Sequence, residues 1–186
     1  MIINLPTTLT LLRIILIPVL VLFCYLPFDW SNIACVVIFF VAGVTDWLDG
    51  FLARRWQQMT AFGAFLDPVA DKLMVAVALV LIVQKDPTPS LAIASAIIIG
   101  REITITSLRE WMAELGERAK IKVSWLGKVK TGFQMLAIVI LLYGSDYGNI
   151  PLRDIGYSLL FIAAILTLWS MVNYLRAALP LLKRDL

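Results

Sequence analysis

Apolar segments recur along the whole 186-residue chain, and several approach the roughly 20 residues that carry a helix across about 30 Å of hydrocarbon. They run from Leu5 to Leu26, Ile33 to Thr45, Leu66 to Val83, Leu91 to Leu108, Phe133 to Tyr143 and Ile155 to Tyr174. The second and fifth are short as written. Continuing the second into Asp46–Arg54 and starting the fifth near Trp125 brings both to spanning length. The expected architecture is all-α, a polytopic membrane protein with six transmembrane helices in a single domain over residues 1–186, with five and seven as the neighbouring counts. A soluble bundle would need a charged face on each outer helix, and these segments are apolar on nearly every side. Composition agrees, at 61% hydrophobic and 16% charged, where soluble domains have about one residue in four charged. The first segment carries one basic residue within its apolar run and no small-x-small cleavage site after it, so it reads as a retained helix.

Basic residues set the orientation. With the N-terminus inside, Arg54, Arg55, Lys72, Arg101, Arg109, Arg118, Lys120, Lys122, Lys128, Lys130, Arg176, Lys183 and Arg184 fall at or near cytoplasmic ends, and the outer turns keep Lys85 and Arg153. Both termini are then cytoplasmic. The longest connection, Glu110 to Gly127, is also cytoplasmic, and its first part either extends the fourth helix or lies on the surface. Pro27–Asn32, Gln84–Ser90 and Gly144–Asp154 have the composition of outer turns. The net charge of +3 belongs to this rim and comes without a nucleic-acid reader fold, so no nucleic-acid partner is expected. The chain has no histidine, which excludes histidine general bases and histidine metal ligands. Cys24 and Cys35, both in apolar runs, cannot complete a zinc site alone.

The chemistry gathers between the second and third segments. Asp46 and Asp49 are three residues apart and Asp67 and Asp71 four apart, so on helices each pair shares a face. The two helices are consecutive and closely connected, which brings the pairs together. Four carboxylates at a membrane rim repel one another unless a cation is present, and hard oxygen donors in that number suit Mg²⁺ or Mn²⁺ sharing its coordination with phosphate. Two other readings of the same residues stay open: a cation-transport path, and helix caps, since Asp67 before Pro68 suits an N-cap. Gly50, Ala53 and Gly63 leave room for a neighbouring helix or a flat ligand. Arg54 suits a carboxylate or phosphate partner, and Arg55 a lipid headgroup.

The pattern Asp46-x2-Asp49-Gly50-x2-Ala53-Arg54-x8-Gly63-x3-Asp67-x3-Asp71 resembles the complete signature of the CDP-alcohol phosphotransferase family, matching all eight fixed positions and every gap. A wider resemblance, carried by NLPTTLTLLRIILIP, GFLARRW, FGAFLDPVADK, REITITSLREWMAELG and WLGKVKTGFQM, extends over essentially the full chain. It is closest to bacterial members that move a phosphatidyl group from CDP-diacylglycerol to sn-glycerol 3-phosphate. The resemblance implies six helices around a polar cavity open to the cytoplasm, a homodimer among membrane lipids, and a bacterial inner membrane. It implies two divalent ions, Mg²⁺ or Mn²⁺, held by Asp46, Asp49, Asp67 and Asp71, with Asp71 also taking the proton of the attacking hydroxyl. Gly50, Ala53, Arg54 and Gly63 would line CDP-diacylglycerol, together with Thr10, Arg13 and Asp49. Related sequences commonly read Pro-Asn-x-Leu-Thr-x2-Arg near the N-terminus, whereas this chain has Thr7 in the second position of Pro6-Thr7-Thr8-Leu9-Thr10-Leu11-Leu12-Arg13. An anionic acceptor needs cations, and Arg101, Arg109, Lys128, Lys130 and Arg176 come from the cytoplasmic ends of the last three helices. Arg109, Lys130 and Arg176 are the expected clamp, with Thr131, Ser107 and Gln134 as hydrogen-bonding neighbours and Glu102 orienting Arg101. Acceptors such as serine, inositol phosphate or phosphatidylglycerol are the alternatives within the class, and a cation transporter the alternative outside it.

Overall fold

The computed structural model describes the backbone of residues 5–56, 61–114, 125–146 and 148–182. Side chains are described over the same ranges except at 5–6, 47, 49–56, 61–62, 64, 114, 125–128 and 177–182. Six helices account for nearly all of it: α1 Leu5–Tyr25, α2 Ser31–Trp56, α3 Ala61–Lys85, α4 Pro89–Glu114, α5 Trp125–Tyr143 and α6 Leu152–Leu182. No strand occurs among the described residues, so the all-α expectation holds. The expected extensions are present: α2 runs through Asp46 to Trp56, and α5 starts at Trp125. The fourth helix likewise carries the start of the long connection as far as Glu114.

Among the described residues, three helices contain stretches long and apolar enough to cross a membrane: Thr7–Tyr25, Pro89–Ala113 and Leu152–Arg176. Ser31–Asp46 and Val129–Tyr143 are shorter apolar stretches, while α3 carries Asp67, Asp71 and Lys72 in its first half. Apolar side chains also cover the outside. Phe40, Val80, Ile93, Ile165 and Trp169 are each more than half exposed, which in a polytopic bundle is the surface offered to lipid.

Helix α1 packs on α2 and α3, α4 on α3 and α6, and α5 on α2 and α6. The buried centre is built from Leu20, Phe39, Met74, Leu79, Ile98, Ile138, Leu142 and Leu160, interleaved with Ala42, Ala78, Ala94, Ala137 and Ala164. Such small residues let helices approach where no water drives them together. Helices α5 and α6 approach closely at Gly156, where a Cβ would lie 2.8 Å from Leu141 Cγ and Cδ2.

Polar groups segregate to the two ends of the bundle. At one end, Lys85 Nζ donates to Asn32 Oδ1 at 2.7 Å, Asp86 accepts hydrogen bonds from Arg153 and Tyr157, and the Arg153 backbone N–H donates to Asp146 at 3.1 Å. The turn there bends through Gly144 and Gly148, with φ of 71° and 59°, a left-handed conformation that glycine adopts without steric cost. The two cations expected in the outer turns are thus both satisfied by partners from other segments. The opposite end holds the first halves of α1, α3 and α5 and the second halves of α2, α4 and α6, and it contains the motif.

Candidate active site

The motif residues sit where α1, α2 and α3 meet. Asp46 lies on α2, and Asp67 and Asp71 one turn apart on α3. Helix α3 begins at Ala61, six residues before Asp67. Asp67 is therefore not the N-cap its place before Pro68 suggests, and its carboxylate is free to serve the space between helices. Pro68 is accommodated within the helix.

Helix α1 supplies the partners. Arg13 is fully buried, with its side chain 1% exposed, and donates from Nη1 to Asp46 Oδ1 at 2.7 Å. A guanidinium in the first half of an apolar helix is costly unless paired, and Asp46 supplies that pairing. Three residues earlier on the same face, buried Thr10 donates its hydroxyl hydrogen to Asp67 Oδ1. One oxygen of each carboxylate is thereby fixed, and Oδ2 of each makes no hydrogen bond among the described residues. Asp71 makes no hydrogen bond or ion pair among the described residues, and it lines a small cavity with Arg13, Gly43, Met74 and Met135. It also lies within electrostatic range of Asp46 and Arg13. Thr7, at the position where related sequences commonly have Asn, is buried in the same first turns of α1.

Asp49, Gly50, Ala53 and Arg54 follow on α2, but their side chains lie outside the described residues, as does that of Lys128 on α5. Gly63 is buried near the start of α3. Among the described residues no three acidic or cysteine side chains form a group able to hold a metal ion; Asp49, the fourth motif carboxylate, lies outside that set.

A second cluster is assembled by α4, α5 and α6. Glu102 Oε1 accepts from Arg101 Nη1 at 2.9 Å and from Lys130 Nζ at 2.6 Å. Arg101 Nη2 donates to Ser170 Oγ at 3.0 Å. Arg109 Nη2 donates to Tyr174 Oη at 2.6 Å, and the Tyr174 ring has the Arg109 guanidinium 5.0 Å and the Arg101 guanidinium 5.8 Å from its centre, within cation–π range. Three expected cations, Arg101, Arg109 and Lys130, thus converge. Arg176 is exposed and makes no hydrogen bond or ion pair among the described residues. Gln134 is buried one turn beyond Lys130, and Thr131 is exposed. Glu102 orients Lys130 as well as Arg101.

Sequence reasoning did not single out Ser170 and Tyr174. The signal was present: Thr167, Ser170 and Tyr174 recur at helical spacing and form a polar stripe in an otherwise apolar helix. The two clusters form one electrostatic region, since Asp71 lies within range of Glu102, and Glu102 within range of Lys72. The bundle therefore presents, at one end, carboxylates suited to hard cations beside guanidinium and ammonium groups suited to phosphate.

A helical bundle with that end suits a site for metal ions and phosphate groups, and the sequence comparison points the same way. The family model for CDP-alcohol phosphatidyltransferase matches residues 3–169, so the chain belongs to that family. Its relatives include proteins named "CDP-diacylglycerol--glycerol-3-phosphate 3-phosphatidyltransferase". That of Escherichia coli (strain K12) is 57% identical over 175 residues, 94% of each chain. Those of Sodalis glossinidius (strain morsitans) and Yersinia enterocolitica serotype O:8 are 56% and 57% identical over the same length, again 94% of each chain.

Proposed function

We propose that this chain transfers the phosphatidyl group of CDP-diacylglycerol to the hydroxyl of sn-glycerol 3-phosphate, giving phosphatidylglycerol phosphate and CMP. The observation that carries it is the meeting, at one end of an apolar bundle, of the Asp46, Asp67 and Asp71 carboxylates with the Arg101–Glu102–Lys130 cluster. The names of relatives 56–57% identical over 94% of the chain support the same reaction.

Each half of the site has one task. The carboxylates suit two divalent ions, Mg²⁺ or Mn²⁺, held by Asp46, Asp49, Asp67 and Asp71; when bound, such ions neutralise the pyrophosphate and charge on the departing CMP. Arg13 and Thr10 hold Asp46 and Asp67 in a fixed orientation. Asp71, which lines the cavity and has no hydrogen-bond partner among the described residues, accepts the proton of the attacking hydroxyl. That hydroxyl attacks the phosphorus bonded to diacylglycerol, and the bond to the CMP oxygen breaks. Arg101, Lys130 and Arg109 hold the acceptor's phosphate and fix the hydroxyl relative to Asp71. Gly50, Ala53, Arg54 and Gly63 line the nucleotide, and Lys128 and Arg176 add to the cationic rim.

In the membrane the six helices all span, with both termini and the motif end on the cytoplasmic face of a bacterial inner membrane. The cluster of cations at that end supports this orientation. The whole chain, residues 1–186, acts as one domain, and the working form is a homodimer.

The test is CMP release by the purified chain from CDP-diacylglycerol, with sn-glycerol 3-phosphate, inositol phosphate, serine or phosphatidylglycerol as acceptor. Turnover is expected with glycerol 3-phosphate alone. It should vanish with EDTA and return on adding Mg²⁺ or Mn²⁺. Asp71→Asn should lower kcat by about 10²-fold or more, the usual contribution of a general base, while the protein elutes from a sizing column as wild type does. Turnover that survives chelation would overturn the metal reading, and CMP release with a different acceptor would overturn the assignment of the cationic cluster.

A further inference from the structure

Glu102 is oddly placed for a residue that merely steadies two cations. Of the three charged side chains in its cluster it is the most accessible, at 26% exposed against 9% for Arg101 and 3% for Lys130. Past the exposed Arg109, a phosphate arriving from solvent therefore meets the Glu102 carboxylate before the two buried cations, Arg101 and Lys130. Both cations are bonded to the same oxygen, Oε1, so one carboxylate oxygen occupies the point where a phosphate oxygen would be held. The other oxygen, Oε2, makes no hydrogen bond among the described residues.

A third cation shares a cavity with Glu102. Lys72, on α3, lines a cavity of about 220 Å³ between α3 and α4 together with Glu102, Val69, Leu73, Ile99 and Ile103. Its only hydrogen bond among the described residues is to the Pro68 carbonyl at 3.3 Å, and the ammonium is within electrostatic range of Glu102. The cavity gives the carboxylate somewhere to go and Lys72 gives it a partner on arrival.

We infer that Glu102 is a specificity-determining stand-in for the acceptor's phosphate: it neutralises Arg101 and Lys130 while the acceptor is absent, and yields them to the incoming phosphate by turning toward Lys72. Two buried cations without an anion repel each other and are costly to keep desolvated. A phosphate monoester brings nearly two negative charges and three acceptor oxygens, enough to displace one carboxylate, and repulsion then favours the carboxylate's departure. An uncharged hydroxyl acceptor cannot compensate the lost ion pairs, so the exchange selects for an anionic acceptor. Lys72 neighbours Asp71 in sequence, which couples acceptor binding to the segment that carries the proposed base. The inference rests on the reading of Arg101 and Lys130 as the acceptor clamp.

The test is steady-state CMP release by the full-length chain in detergent with CDP-diacylglycerol and Mg²⁺, varying glycerol 3-phosphate, for wild type, Glu102→Gln, Lys72→Met and Lys130→Met. Inorganic phosphate serves as a competing anion. Without its charge, residue 102 no longer competes, so Glu102→Gln should lower KM for glycerol 3-phosphate and the inhibition constant of phosphate, each by roughly tenfold, the size of a charge-assisted hydrogen bond. Lys72→Met should raise KM by removing the carboxylate's second partner. An unchanged or raised KM in Glu102→Gln overturns the inference, as does a Lys72→Met variant with unchanged or lowered KM. Should Glu102→Gln not yield folded protein, Glu102→Asp, one methylene short of the cations, must lower KM in its place; a rise or no change there is equally fatal. Lys130→Met separates this result from the underlying assignment: a KM it leaves unaltered would remove the clamp itself, whereas a raised KM keeps the clamp, and the Glu102 and Lys72 variants then decide whether the carboxylate stands in for phosphate.

Discussion

Arg13 is the residue on which the two halves of the motif depend. Its side chain is 1% exposed and its partner Asp46 is 44% exposed, so the pair straddles the boundary between helix packing and the open site. Removing the guanidinium leaves the carboxylate unguided, and Arg13→Met should lower kcat/KM for CDP-diacylglycerol by about ten- to hundredfold, equivalent to one charge-assisted hydrogen bond. Arg13→Lys should recover only part of this, because an ammonium cannot reproduce the planar fork. The check is a double-mutant cycle with Asp46→Asn on CMP release: the effects should be markedly less than additive, since both substitutions break one interaction. Additive losses would mean that Arg13 acts on substrate directly. At this scale much was legible from spacing. The Asp pairs, Arg13 and the converging cations Arg101, Arg109 and Lys130 all stood out because a charged residue in an apolar segment is conspicuous. Ser170 and Tyr174 did not, since a hydroxyl costs little in a membrane helix, and only contact with the guanidinium groups of α4 reveals their use.

At the scale of helices, the contact between α5 and α6 leaves little room at Gly156. A Cβ at position 156 would press on Leu141 at 2.8 Å and on Ile140 Cγ2 at 3.0 Å, and these are parts of side chains, which shift at moderate cost. Gly156→Ala should therefore destabilise the bundle by about 1–3 kcal/mol, the usual cost of overpacking, and Gly156→Leu by more. Thermal unfolding in detergent measures both; a melting temperature unchanged in Gly156→Leu would show that the two helices separate freely. Because α5 carries Lys130 and α6 carries Ser170 and Tyr174, the larger substitution should also raise KM for glycerol 3-phosphate without changing that for CDP-diacylglycerol. Element existence was readable from hydrophobic runs, but the start of α3 was not. Spanning length was enough to carry α2 on into Asp46–Arg54, whereas the Asp67-Pro68 pair read locally as a helix start although α3 begins at Ala61.

For the whole molecule, the separation of the two polar ends is the feature that function needs. Asp46, Asp67, Asp71 and the Arg101–Lys130 cluster occupy one end, while Lys85, Asp86 and Arg153 close the other through Asn32, Tyr157 and Asp146. Hydropathy anticipated this polarity, because alternate passage of six helices brings the first halves of odd helices beside the second halves of even ones. Hydropathy does not reveal which helices touch, since an apolar face looks the same toward lipid and toward a neighbouring helix. The proposed orientation turns the cations toward the cytoplasm, where the proposed soluble acceptor would reach them, and the positive charge at that end favours the same side. Single cysteines introduced at Asp29, Thr88 and Ser145 in a Cys24→Ser, Cys35→Ser background should react with a membrane-impermeant maleimide in intact cells whose outer membrane has been made permeable. A cysteine at Ser107, near the cationic cluster, should react only after the inner membrane is opened. Labelling of Ser107→Cys alone from outside would reverse the orientation and put the catalytic end on the face that glycerol 3-phosphate does not reach; the expected pattern joins the site to its soluble substrate on one side and to its lipid substrate in the plane of the same leaflet.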